Sequence, residues 1–83
     1  MGDRKHQRVC AEIVRLLREE REHLGLSKYA VAERSGLSEQ MVGYVERGLR
    51  HPSLETVVRL ASALRVDLGE IIKKAYKSVS RGD

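Results

Sequence analysis

Between Ser27 and Gly48 the chain places a helix-capping serine and a helix-stopping glycine twice in close succession: Ser27 then Gly36, and Ser38 then Gly48. A serine oxygen can accept a free backbone N–H at a helix start, and glycine reaches the left-handed conformation that ends a helix without a Cβ clash. Two short helices follow, one from the Ser27 cap through Arg34 and one from the Ser38 cap through Arg47. The turn between them, Ser35-Gly36-Leu37, is too short for an antiparallel hairpin, so the helices must cross steeply.

The flanks extend the helical pattern. Val9, Ile13, Leu16, Leu17 and Leu24 recur at helical intervals from about residue 7 to 24, and Gly25 ends that run. After Arg50, His51 and Pro52, Ser53 caps a fourth helix whose expected core face is Leu54, Val57, Val58, Leu60, Ala61 and Leu64. Asp67 with Glu70 three residues later reads as a capping box opening a fifth helix, with Leu68, Ile71, Ile72 and Ala75 as its apolar stripe. Val31, Ala32, Leu37, Val42 and Val45 form the expected buried set of the steep pair, which has the helix-turn-helix shape. The expectation is an all-α single domain over residues 1–83, five helices with a core of about 7–77 and frayed or solvated ends around Arg4, Lys5, Arg8 and Ser78 to Asp83.

At 83 residues only one hydrophobic core fits, and with no Phe or Trp it must be built from Leu, Val, Ile and Ala. A net charge of +4 agrees with a nucleic-acid partner and with many other soluble domains. The single Cys10 cannot form an internal disulfide, no apolar run is long enough for a membrane span, and the charged N-terminus is unlike a secretory signal, so a cytoplasmic protein is expected. His6, His23 and His51 have no metal or catalytic spacing, and no phosphate loop is present; neither an enzyme nor a metal or cofactor site is expected.

Gly25-Leu26-Ser27-Lys28, Val31-Ala32-Glu33-Arg34-Ser35-Gly36-Leu37-Ser38, Val42, Val45-Glu46-Arg47-Gly48 and Pro52-Ser53-Leu54-Glu55-Thr56 together resemble the lambda-repressor/Cro-like family, also called XRE-type helix-turn-helix. The resemblance covers roughly residues 13 to 72. It implies that the helix opening at Ser38 is the recognition helix, entering the major groove of double-stranded DNA with Glu39, Gln40, Gly43 and Tyr44 toward the bases. Gln40 suits adenine, whose N6 donates and N7 accepts. Glu39 could accept from cytosine N4 or be repelled by phosphates; Gly43 could allow close backbone approach or be a neutral exposed glycine; Tyr44 could touch DNA or cover the core edge.

The family usually has glutamine where this chain has Lys28, which can still meet a phosphate as a point charge or remain a solvated lysine. Arg50 and the helix starts at Ser27 and Ser38 complete the expected phosphate contacts. Arg21 and Glu46 fall where the resemblance implies a structural ion pair. It also implies a homodimer on a pseudo-palindromic operator, most simply a repressor. The apolar stripe Leu68, Ile71, Ile72, Ala75 and Tyr76 is the first candidate interface and Cys10, Val14 and Leu17 the second, and either stripe could instead be core. A different class stays open: an antitoxin-like interaction module in which a toxin, or polymerase in the regulator reading, is the partner protein.

Overall fold

The computed structural model describes residues 2–82, and all regular structure among them is helical: α1 Gly2–His23, α2 Lys28–Ser35, α3 Glu39–Glu46, α4 Leu54–Leu64 and α5 Leu68–Gly82. The starts are set by the side chains expected to set them. The hydroxyls of Ser27, Ser38 and Ser53 accept the N–H groups of Ala30, Met41 and Thr56 at 3.0, 3.0 and 3.1 Å, each from an extended cap residue. Asp67 accepts from Gly69 N–H at 2.8 Å and from Glu70 N–H at 3.4 Å, which is the first half of the capping box, while the Glu70 carboxylate lies 3.5 Å from Lys73.

Three of the ends share one geometry. Leu26, Leu49 and Val66 donate their N–H five residues back, to Arg21, Tyr44 and Ala61, across a left-handed residue that donates to Glu22, Val45 and Ser62. This is the Schellman arrangement. Glycine fills the left-handed position twice, but α4 ends on Arg65 at φ 57°, a conformation that costs a non-glycine residue about 1 kcal/mol. The sequence offered no stop there.

The core gathers Leu17 of α1, Val31 and Ala32 of α2, Val42 and Val45 of α3, and Leu60, Leu64 and Ile71 beyond them. Val42 and Val45 are at most 1% exposed, and such burial stabilises by roughly 1.5–3 kcal/mol per side chain, so α3 is anchored by its inner face. Ser35, also buried, bridges the turn: its hydroxyl donates to Ala32 O at 3.2 Å and accepts from Leu37 N–H at 3.3 Å. Arg59 of α4 donates to the Ser35 carbonyl at 3.1 Å, satisfying an orphan acceptor at the end of α2.

Several expectations are corrected. Leu54 and Val58 are 74% and 49% exposed rather than core, because the inward side of α4 is taken by Leu60, Ala61, Ala63 and Leu64. Leu24 is exposed and Leu37 only half-buried. At the chain ends Arg4, Arg8, Ser78, Ser80 and Arg81 are exposed, as solvated ends would be, but they lie within helices: α1 packs against α5, with Val9 buried and Val79 half-buried. Met1 and Asp83 lie outside the described residues. Ile71 and Ala75 are buried within the protomer, at 7% and 0% exposure, and cannot form the face of α5 offered to a second copy; Leu17 is likewise core, which leaves Cys10 and Val14 of the second candidate stripe. The physical reason is packing of α5 on α1, which consumes that side of the helix.

Candidate nucleic-acid interface

The inner face of α3 is fixed by Val42 and Val45, and its far end is tied to α1 by an ion pair. Arg21 Nε and Nη2 donate to the two Glu46 carboxylate oxygens at 2.6 and 2.9 Å, and Nη1 donates to the Leu26 carbonyl at 2.8 Å. The two side chains are only 12% and 10% exposed, so the fork is largely withdrawn from water. The hydrogen bonds to Glu46 raise the Arg21 pKa above the ordinary arginine value, against burial, which acts the other way. One guanidinium therefore holds both the end of α3 and the loop that leads into α2.

The opposite side of α3 is polar and mostly exposed. Gln40 Nε2 donates to the Tyr44 hydroxyl at 2.6 Å, one helical turn on. The guanidinium carbons of Arg47 and Arg50 stand 5.7 and 5.3 Å from the Tyr44 ring centroid, inside cation–π range. Arg47 Nε also donates to the Gly43 carbonyl at 3.3 Å. Of the expected site residues, Gln40, Tyr44 and Arg50 are thus brought into one cluster, and Arg47 joins them although the sequence reading left it as a helix end. Its position three residues after Tyr44 was the available clue.

The others are placed apart from that cluster. Glu39 lies in a shallow groove with Tyr29, Glu33 and Leu37, on the α2 side of α3. Gly43 has a buried backbone, yet a Cβ built on it would meet nothing within 4 Å, so no neighbour in the protein requires glycine there. Ser27 and Ser38 use their hydroxyls as caps, and the first N–H groups beyond each cap have no intrahelical acceptor, leaving donors aimed off the ends of α2 and α3. Lys28 is the first residue of α2 and half-buried. Of the five α5 positions, Leu68, Ile72 and Tyr76 retain exposed surface, and they recur every four residues along one side.

Among the described residues there is no group of three or more His, Cys, Asp or Glu side chains placed to hold a metal, and no helix is long and apolar enough to cross a membrane. Cys10 is free and exposed.

A two-helix unit of eight-residue helices, with a three-residue turn, an anchored second helix and a polar outer face, is a helix-turn-helix, the unit whose second helix enters the DNA major groove in the proteins that use it. The chain belongs to the XRE-type helix-turn-helix family, whose model matches residues 17–71. It is 39% identical over 64 residues to an HTH-type transcriptional regulator of Sinorhizobium fredii, covering 77% of this chain and 78% of that one. It is 46% identical over 50 residues to an HTH-type transcriptional regulator of Mycobacterium tuberculosis, covering 60% of this chain but only 36% of the relative. The chain thus spans about a third of the length of the mycobacterial protein.

Among solved structures, the restriction-modification controller protein C.AhdI from Aeromonas hydrophila is similar at 40% identity and a TM-score of 0.68, over 75% of this chain and 94% of that one. A point mutant of the controller protein C.Esp1396I superposes with a TM-score of 0.81 over 90% of this chain and 97% of that one. At 16% identity it shares the fold alone.

Proposed function

We propose that this protein is a sequence-specific operator-binding repressor that acts as a homodimer on a pseudo-palindromic site. The observation that carries the reading is the cluster of Gln40, Tyr44, Arg47 and Arg50 on the outer side of an α3 whose inner side and C-terminal end are locked. Such a helix presents an amide suited to adenine beside two cations suited to phosphate, without having to reorganise on binding. Lys28 and the starts of α2 and α3 supply further phosphate contacts, which position the protein without reading sequence. Tyr44 acts beside Gln40, and Gly43 permits close approach of the helix backbone to the duplex.

A single module meets one half-site, and two recognition helices spaced about 34 Å apart read the same groove on successive turns. Leu68, Ile72 and Tyr76 supply the pairing surface in this reading, since they keep apolar area outside the core. The 40% identity to the restriction-modification controller protein C.AhdI supports a controller-type role in which occupancy of an operator sets transcription. Regulation then follows protein concentration through the dimer equilibrium.

Selection of bound duplexes from a random pool tests this reading. Recovery of a two-fold symmetric site with half-site centres about 10 base pairs apart is the expected result. Enrichment of no sequence over the starting pool would refute it.

A further inference from the structure

Tyr44 is the meeting point of every polar side chain that the outer cluster of α3 contains. Its hydroxyl oxygen accepts one N–H of the Gln40 amide, which leaves that amide one N–H and its carbonyl oxygen. Those two groups are the pair needed for bidentate recognition of adenine, so the contact orients Gln40 without using up its reading capacity. Glu39, the other polar residue in the first turn, lies in the groove toward α2 and does not compete for this amide.

The ring has a second task. Arg47 and Arg50 come from different backbone settings, the C-cap of α3 and the connector beyond it, and both sit within 6 Å of the same aromatic centroid. Two guanidinium groups on one ring repel each other, and a phosphate oxygen placed against them removes that repulsion while gaining charge-assisted hydrogen bonds. Arg47 is further tethered to the Gly43 carbonyl at 3.3 Å.

We propose that Tyr44 is the positioning residue of the DNA-facing surface: its hydroxyl sets the Gln40 amide for base readout, and its ring gathers Arg47 and Arg50 for phosphate contact. The inference rests on the DNA-reading function proposed above and divides one side chain into two separable roles, specificity through the oxygen and general affinity through the ring. Removing each part alone should therefore damage a different property.

The test compares wild type, Tyr44→Phe, Tyr44→Leu, Gln40→Ala and the Gln40→Ala/Tyr44→Phe double variant on the selected site and on an unrelated duplex, over a range of salt. Melting curves confirm that each variant is folded. Tyr44→Phe should lower the ratio of selected to unrelated binding about tenfold, with unrelated binding and salt slope unchanged. Tyr44→Leu should also weaken binding to the unrelated duplex and make the slope of log K against log salt shallower by about one to two. In the Gln40→Ala background, Tyr44→Phe should add nothing to the loss of discrimination. Full discrimination by Tyr44→Phe, or independent addition of the two losses, overturns the hydroxyl's role. A wild-type salt slope in Tyr44→Leu overturns the ring's role. Each of these leaves the regulator reading standing, whereas a wild-type chain that enriches no sequence overturns that reading and this inference together.

Discussion

Removing the Glu46 carboxylate should be the most damaging single change outside the apolar core. Glu46→Ala strands the Arg21 guanidinium, which keeps its bond to the Leu26 carbonyl but loses both carboxylate partners in a site where the two side chains are only 12% and 10% exposed. Breaking a buried pair from one side costs about 3–5 kcal/mol, and the remaining exposure favours the lower end, about 3 kcal/mol. A chain of 83 residues has a total stability on the order of 4–12 kcal/mol, so this loss is a large fraction of it. The melting temperature should fall by about 12–24 °C. Urea denaturation followed by circular dichroism gives the free energy directly. Glu46→Gln, which keeps an acceptor oxygen, should lose less. Replacing both partners together, as Arg21→Met with Glu46→Leu, should return to within about 1 kcal/mol of wild type, because no charge is then left buried alone. The loss should persist at about 1 M salt, since screening acts weakly on a withdrawn pair. A cost below about 0.5 kcal/mol for Glu46→Ala, or a double variant as unstable as the sum of the singles, would refute the claim that this pair locks α3.

Gly43→Ala should stabilise the protein by about 1 kcal/mol, because the added Cβ enters open space within a helix, and should weaken operator binding several-fold because DNA then meets that Cβ; unchanged affinity would make the glycine neutral. Lys28→Ala should make the salt slope of DNA binding shallower by about 0.9, and a wild-type slope would remove Lys28 from the phosphate contacts. Ile72→Asp should yield a folded monomer in sedimentation, whereas Ile71→Asp should unfold the chain; a persistent Ile72→Asp dimer would move the interface elsewhere. The Glu12 carboxyl is held below its ordinary 4.5, chiefly by its hydrogen bond from Arg15. Its stabilisation is therefore complete above about pH 4.5 and is lost as pH falls through the lower folded value, so Glu12→Gln should flatten the acid side of the stability profile. An acid limb identical to wild type in urea titrations would count against that linkage.

What could be read in the sequence was local. Ser27, Ser38 and Ser53 act through N–H groups three residues away, and Gly25, Gly36 and Gly48 through their own dihedral angles, so each is visible in a short window of residues. What could not be read depended on a neighbour far along the chain. Ile71 and Ile72 are equally apolar and about 100° apart on one helix, and only the packing of α5 on α1 decides which is core. Leu54 and Val58 are as apolar as Leu60 and Leu64 of the same helix, and only tertiary packing decides that the latter pair is core. Arg59 reaches a carbonyl 24 residues away, which no periodicity announces. Arg65 ends α4 in a conformation that its residue type argues against. The Gln40–Tyr44 contact spans one turn of α3 and was within reach of a sequence reading; the gathering of Arg47 and Arg50 depends on how the connector after α3 folds back.

The two sides of α3 are held by different contacts. The residues that hold α3 in place, Val42, Val45 and Glu46, recur at three- and four-residue spacing on its inner side and make their contacts with α1 and the central core. Gln40, Tyr44 and Arg47 follow the same spacing on the outer side and bond only among themselves, to Arg50 and to the Gly43 carbonyl, among the interactions described for that face. A change at Gln40 or Tyr44 therefore strands no buried charge and opens no cavity, whereas a change at Val42 or Glu46 does one or the other. The residues that hold α3 and those on its outer side are energetically separate, so the outer positions can be altered with little effect on whether the protein folds.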